Sequence, residues 1–333
     1  MANVITIGEI LQRLTPINKQ KITQGNLFSS YFGGAEANVA VALSRFGHDV
    51  SYFTALPIND LGDAANLNLQ RVGVDTSLIV RNEERLGIYY YEEGFSVRPP
   101  KVIYDRKHSS VLHLDVGSVN WNKIYETKEV LHISGITPAL SEEMKELTLT
   151  AVKEAKKRDI QVSFDFNYRS KLWSIQEARE TYVKILPYVD ICFAGHKDLA
   201  VFLDMGELET FNPILLEKHY QNLAKSYHIN ILASTYRKII SPSKNELTGF
   251  IYNSGKFYKS DCVSFEILDR IGGGDAFAAG ILHGILTNMD LQETIHFGVA
   301  SSVLKHAVNG DSIEFSTDEV FDLLANRDKD VRR

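Results

Sequence analysis

Short apolar runs alternate along the chain with longer amphipathic stretches. Residues 4–7, 50–56, 130–134, 160–165, 190–194 and 230–234 are apolar almost throughout. That is the pattern of strands buried on both faces of a parallel sheet, rather than the in-out alternation of a half-exposed one. Helical stretches lie between them. Residues 35–46 follow Gly33-Gly34. Residues 141–158 open on Ser141, an N-cap type, with Glu142 and Glu143 suited to the positive end of a helix. The order predicts a layered α/β fold with right-handed crossovers.

Two regions, about 11–32 and 86–107, break the rhythm. They are polar and aromatic, and Gly87-Ile88-Tyr89-Tyr90-Tyr91-Glu92 has period 2. Both read as antiparallel strands outside the main sheet, either a small β-lid over a site or edge hairpins without function. A further hairpin is predicted for residues 247–252 and 256–259, turning at Asn253-Ser254-Gly255. Neither an internal repeat nor a linker is visible. The expected organisation is one domain over residues 1–333 with the two lid segments inserted in it, and a charged, frayed tail after Arg327.

Composition narrows the class. With 44% hydrophobic and 23% charged residues the chain can bury a sizeable core. A net charge of -6 offers no basic footprint for nucleic acid. Lys153 to Arg158, the densest basic stretch, contains Glu154 and reads as a solvated helix end. The N-terminus has no charged start and long apolar run, and no uncharged stretch nears the roughly 20 residues of a membrane span. Cys192 and Cys262 form no CxxC or zinc pattern, sit among apolar residues and are expected to be buried thiols of a reducing compartment. The expectation is a cytoplasmic enzyme without nucleic-acid or membrane partners.

Candidate chemistry centres on Asp269-Arg270-Ile271-Gly272-Gly273-Gly274-Asp275-Ala276-Phe277-Ala278-Ala279-Gly280. Three glycines let backbone N–H groups converge on an anion, and the small helix-forming residues behind them make the turn a helix N-terminus of positive partial charge. A carboxylate beside a bound phosphate is wasteful unless Asp275 takes the proton of an attacking hydroxyl. A flexible glycine turn with Asp275 as a plain helix cap explains the same residues. Other nucleotide signatures are missing: no GxxxxGK[ST], no GxGxxG after the first strand, no protein-kinase HRD or DFG, and no HExxH zinc motif. A second pair, Gly33-Gly34-Ala35-Glu36-Ala37-Asn38, suits either hydrogen bonding of sugar hydroxyls through Asn38 or a tight entry into a closely packed helix.

Together the two segments resemble the ribokinase (PfkB) family of carbohydrate kinases, which carries GG-x-x-x-N early and D-T-x-G-A-G-D-x-F-x-x-G late in its chain. The resemblance spans almost all of the sequence. It implies a three-layer α/β/α core with a small β-sheet lid used for homo-oligomer formation, an anion hole at Gly272, Gly273 and Gly274, and Asp275 as general base. It implies ATP as co-substrate with Mg²⁺, and leaves room for a monovalent cation. Departures are visible. Arg270 and Gly273 replace the usual threonine and alanine, and Arg270 either adds charge near the nucleotide or faces solvent. The family's N-x-x-E becomes Gly195-His196-Lys197-Asp198, which leaves Asp198 as the candidate metal carboxylate. The usual T-x-G becomes Ser234-Thr235-Tyr236-Arg237.

Finer features are similar to the 2-keto-3-deoxygluconate kinases of that family: Gly87-Ile88-Tyr89, Tyr104-Asp105-Arg106, Asp165-Phe166-Asn167-Tyr168-Arg169-Ser170-Lys171-Leu172-Trp173, and Leu304-Lys305-His306 with Gly310-Asp311. A sugar acid brings a carboxylate, for which arginine is the natural fork. The resemblance thus implies substrate contacts from Gly33, Gly34, Asn38, Tyr89, Tyr104, Arg106, Arg169, Asp275 and Asp311. It implies ATP contacts from Asn167, Arg169, Ser234, Arg237, Gly272, Gly274 and His306. Arg169 stands in both sets. The expected reaction is phosphorylation of 2-dehydro-3-deoxy-D-gluconate at its terminal 6-hydroxyl. The alternatives are a kinase for a neutral sugar, of fructokinase or ribokinase type, and a non-catalytic sugar-binding sensor on the same fold.

Overall fold

The computed structural model describes residues 1–202 and 211–325, and the tail expected beyond Arg327 lies outside them. In chain order the strands begin with β1 (Asn3–Ile7), β2 (Leu11–Pro16), β3 (Phe28–Gly33), β4 (Asp49–Phe53) and β5 (Ala55–Pro57). They continue with β6 (Val80–Asn82), β7 (Ile88–Glu92), β8 (Lys101–Asp105), β9 (Val130–Ser134) and β10 (Gln161–Asp165). The last are β11 (Ile191–Phe193), β12 (Ile231–Ser241), β13 (Lys244–Asn253), β14 (Lys256–Lys259) and β15 (Val263–Glu266). The helices are α1 (Ala35–Arg45), α2 (Asp60–Gln70), α3 (Trp121–Ile124), α4 (Glu142–Lys156) and α5 (Ile175–Ile185), then α6 (His196–Phe202), α7 (Pro213–Tyr227), α8 (Gly273–Leu286), α9 (Leu291–Lys305) and α10 (Thr317–Ala325).

The main sheet runs β14-β13-β12-β11-β10-β9-β1-β4, with β15 pairing β13. From β12 to β4 every pairing is parallel. Successive residues of these strands enter opposite cores, which is why they read as continuous apolar runs. Val4 packs with α1, α8 and α9, and its neighbour Ile5 packs with α4, α5 and α7. The result is a three-layer α/β/α core, as expected. Ser141 caps α4 by accepting from the Met144 N–H at 3.2 Å.

Three expectations need correction. The apolar run 50–56 divides at Thr54 into β4 and β5, and β5 leaves the main sheet to pair with β6. The run 230–234 continues as β12 to Ser241, because its partner β13 begins at Lys244 and pairs along its whole length. The sheet is therefore mixed, with antiparallel β13 and β14 beyond its parallel part. Cys192 is buried as expected, but Cys262 is exposed, in the connection between β14 and β15.

A second sheet, β3-β2-β7-β8, is assembled from two separate parts of the chain. Its β2 pairs antiparallel with β3 and parallel with β7. Leu11, Tyr89 and Tyr91 on its inner face pack with Val102 and Ile271, so the sheet rests against the segment that opens α8.

Candidate active site

Two clefts meet at the carboxyl ends of the parallel strands, where open α/β sheets bind ligands. The larger, about 490 Å³, is lined by Asn167, Lys197, Asp198, Ser234, Arg237 and His306 among others. The smaller, about 340 Å³, lies beneath the second sheet and is lined by Gly33, Gly34, Asn38, Tyr89, Tyr104, Arg106, Asp275 and Asp311. Asp165, Asn167, Arg169, Arg270, Gly273 and Gly274 line both. Every residue expected at the site from sequence thus lies on one cleft wall or the other.

Gly272 is the N-cap of α8, at φ 80°, where a side chain would be strained and would also collide with the Asp311 carbonyl. Behind it the first N–H groups of α8 have no intrahelical acceptor, and Gly273 and Gly274 line both clefts. A Cβ on Gly273 would run into the imidazole of His306, whereas one on Gly274 would meet open space. The glycine at 273, where the family motif usually has alanine, is therefore matched to the histidine that caps the C-terminus of α9.

Asp275 stands in the first turn of α8 with its carboxylate in the smaller cleft. The Asn38 Nδ2 donates to its Oδ2 at 2.7 Å, so Asn38 holds this carboxylate from the opposite helix, α1. Burial pushes Asp275 up to about 7, helped by Glu36 and Asp311 and opposed by Asn38 and Arg169. Asp165, at the end of β10, is pushed up to about 8 by burial and by the charges of Asp275 and Asp198. Asp198, pushed up to about 6 by burial, accepts from the Gly195 N–H at 2.8 Å. All three are raised chiefly by burial, and Arg169 opposes the shift at each of them. Among the described residues no group of three metal-ligating side chains gathers there.

The remaining expected residues fall into three groups. Asn167 adopts φ 38° after β10 and donates its N–H to Asp165 at 3.1 Å, which turns the chain between the clefts. Ser234 is buried 2.7 Å from the Tyr220 hydroxyl. His306 lies against Phe265, its Nδ1 2.7 Å from the Ser302 carbonyl and its Nε2 buried without a hydrogen-bond partner; burial lowers it to about 4. On the wall of the smaller cleft, Arg106 pairs with buried Glu9 and lies over the Tyr104 ring. Its Nε is buried and unpartnered. Asp311 accepts from the Tyr89 hydroxyl and from Arg13.

The sequence assigns no role to Arg13, Glu9, Asp165 or Lys305. Arg13 is fully buried on β2, 2.7 Å from Asp269 and 3.1 Å from Asp311, with Tyr31 and Tyr91 against its guanidinium. Asp269 also accepts from the N–H groups of Ile271 and Gly310. This network ties the second sheet to the turn that opens α8. Lys305, also buried, donates to the Val308 carbonyl at 3.2 Å. A signal existed for Asp165, an acid closing an apolar strand. For Arg13 there was only a lone charge at an inward position of β2.

The model of the pfkB family of carbohydrate kinases matches residues 1–317. A 2-dehydro-3-deoxygalactonokinase of Haloferax volcanii is 31% identical over 332 residues, covering 100% of this chain and 99% of its own. A 2-dehydro-3-deoxygluconokinase from Thermotoga maritima superposes with a TM-score of 0.95 at 36% identity, over 98% of this chain and 100% of its own. A PfkB family carbohydrate kinase from Listeria grayi superposes with a TM-score of 0.92 at 38% identity, over 97% and 100% respectively.

Proposed function

The chain belongs to the pfkB family of carbohydrate kinases, and from that premise we propose that it transfers the terminal phosphoryl group of ATP to the 6-hydroxyl of 2-dehydro-3-deoxy-D-gluconate. The observation that carries this reading is the meeting of the two clefts at the N-terminus of α8, with Asp275 facing the smaller one. The larger cleft, with Ser234, Arg237 and His306, is assigned to ATP. The smaller is assigned to the sugar acid, with Arg106 for its carboxylate and Tyr89, Tyr104 and Asp311 for its carbon chain and hydroxyls. Relatives named for kinases of 2-dehydro-3-deoxy sugar acids support this choice.

Asp275, held by Asn38, accepts the proton of the attacking hydroxyl. The hydroxyl oxygen bonds to the γ-phosphorus as the bond from that phosphorus to the β–γ bridging oxygen breaks, and ADP leaves. A base near 7 is ionised for much of the time at neutral pH and still accepts a proton readily. The first-turn N–H groups behind Gly272, Gly273 and Gly274 face the charge that develops on the phosphoryl oxygens, already oriented before reaction. Arg169, on the seam, reaches both ligands.

Mg²⁺ fits this donor set. Asp198 is raised by burial, and Asp165 by burial and by the charges of Asp275 and Asp198, and a divalent ion would favour the ionised form of both. Two carboxylates without a third protein ligand suit an ion that keeps its waters and binds phosphate oxygens. Asp198 is the proposed holder, with Asp165 beside it. When bound, the ion neutralises phosphate charge.

The β2-β3-β7-β8 sheet is proposed as a lid over the sugar, inserted in a single domain, and as the self-association surface. Its outer face carries Leu14 opposite Tyr90, Tyr90 opposite Ile103, and Phe28 against the Tyr90 ring. No helix among the described residues is long and apolar enough to cross a membrane. A cytoplasmic enzyme is the proposed setting.

One observation favours a neutral-sugar substrate: Glu9 already occupies part of the Arg106 fork. ADP release measured over a panel of sugars and sugar acids, with ATP and Mg²⁺, tests the proposal. The 2-dehydro-3-deoxy acids are expected to give the highest kcat/KM. A preference for fructose or ribose would replace the acid-sugar assignment, and sugar binding without ADP release would indicate a sensor.

A further inference from the structure

The seam between the clefts carries two guanidinium groups, and a part has been given to only one of them. A phosphoryl group passing from a donor in the larger cleft to an acceptor in the smaller must cross this seam. Of the arginines on the cleft walls, Arg169 and Arg270 alone among the described residues line both sides. Arg270 stands where the family motif usually has threonine, so the motif by itself gives its charge no role.

The surroundings of Arg270 differ from those of the other site arginines. Arg13 is neutralised by Asp269 and Asp311, and Arg106 by Glu9. Among the described residues no carboxylate pairs with Arg270. Its Nη2 donates to the Pro242 carbonyl at 2.9 Å, in the turn between β12 and β13. That bond pins one arm of the fork and leaves the others for a ligand. The preceding residue, Asp269, is bound to Arg13 and to two backbone N–H groups, which fixes the backbone from which Arg270 projects. Its charged neighbour in the larger cleft is another cation. Partial burial, with a smaller contribution from Arg270, lowers Arg237, whose side chain still reaches solvent. Two neighbouring guanidinium groups without an acid between them repel each other, and an anion between them relieves the repulsion.

We propose that Arg270, pinned at Pro242, contacts the phosphoryl group in transfer and stabilises the negative charge that builds on it. This rests on the kinase reading of the site. In the step written above, the proton goes to Asp275 and the leaving group is ADP; Arg270 binds oxygens of the moving group and exchanges neither atoms nor electrons. A planar fork suits the task, because one nitrogen stays on the carbonyl while others meet phosphate oxygens.

The test compares the full-length wild type with Arg270→Gln and Arg270→Lys, after thermal melting of each. Turnover is measured with ATP, Mg²⁺ and the sugar the wild type accepts. Binding of ADP and of the β,γ-imido analogue of ATP is measured by calorimetry. Arg270→Gln is expected to lower kcat about 100-fold, in the range for loss of one preorganised donor. It should weaken the imido analogue about tenfold while leaving ADP within about threefold of wild type. Arg270→Lys, which keeps the charge and loses the fork, should recover part of the turnover, and it serves alone if the glutamine variant does not fold. A kcat within about threefold of wild type for Arg270→Gln, or for Arg270→Lys when it stands alone, overturns the proposal. So does equal weakening of ADP and the analogue, which would place Arg270 on the departing diphosphate. If the wild type phosphorylates no sugar in the panel, the kinase reading fails, and the calorimetry still judges the Arg270 contact by itself.

Discussion

Replacing Asn38 with leucine should move the pH dependence of the reaction rather than abolish it. The Asn38 amide donates to Asp275 at 2.7 Å, and Asp275 lies at about 7 with this bond in place. A hydrogen bond to an ionised group contributes about 1.5–3 kcal/mol, and one pKa unit corresponds to about 1.36 kcal/mol. Losing the bond while keeping the side-chain volume therefore raises Asp275 by roughly 1–2 units. A base must be ionised to act, so activity rises with pH through its pKa, and the acid limb shifts upward. At pH 7 the ionised fraction falls from near one half to roughly a tenth or a hundredth, a loss of about 5- to 50-fold in kcat/KM. Raising the pH to 9 or above should recover most of it. The assay is a kcat/KM–pH profile of wild type and Asn38→Leu by ADP release. An unshifted acid limb with a uniform drop at every pH would refute the reasoning, and would make Asn38 a sugar contact rather than the holder of Asp275.

Gly273→Ala should lower both melting temperature and turnover, because the new Cβ meets the His306 ring; overpacking of this kind costs about 1–3 kcal/mol. Adding His306→Ala should offset part of that loss, and melting the two single variants and the double variant checks the coupling. Arg106→Ala should raise KM for a sugar acid about 30-fold or more while changing a neutral sugar little, consistent with the loss of a charge-assisted fork; equal loss on both would count against the acid-sugar assignment. Asp275→Asn should raise the melting temperature at pH 8. The folded state keeps the Asp275 proton until about 7 while the unfolded chain releases it near 3.8, so this group's contribution to stability falls as pH rises through that window. The gain should vanish near pH 4, and thermal melts at the two pH values measure it.

Much of the core was legible because the parallel strands are buried on both faces. Val4 and Ile5 enter different cores, so neither can be polar, and the run stands out. The far half of β12 was not legible for the converse reason. Lys238 and Ile239 lie exposed beyond the core, and only their pairing with β13 makes them part of a strand. Thr54 ends β4 inside an unbroken apolar run, where composition gives no boundary. Among site residues, the glycine motifs could be read locally because the conformation they permit is local. The ion pairs could not. Arg13 and Asp311 are 298 residues apart, and Glu9 and Arg106 are 97 apart. Only the docking of the second sheet brings these partners together. The same long-range closure sets the Asn38 amide on Asp275 across two helices, a bond that nothing in its own segment announces.

The most direct measurement is turnover of 2-dehydro-3-deoxy-D-gluconate by the wild type and by Asp275→Asn, followed as ADP release with ATP and Mg²⁺, with sugar and nucleotide affinities measured on the same preparations. Asparagine keeps the shape and the Asn38 contact but cannot take a proton. The account predicts ready phosphorylation by the wild type and a loss of about 100-fold or more in kcat for the variant, with both affinities nearly unchanged. Turnover by Asp275→Asn within a few-fold of wild type would contradict it.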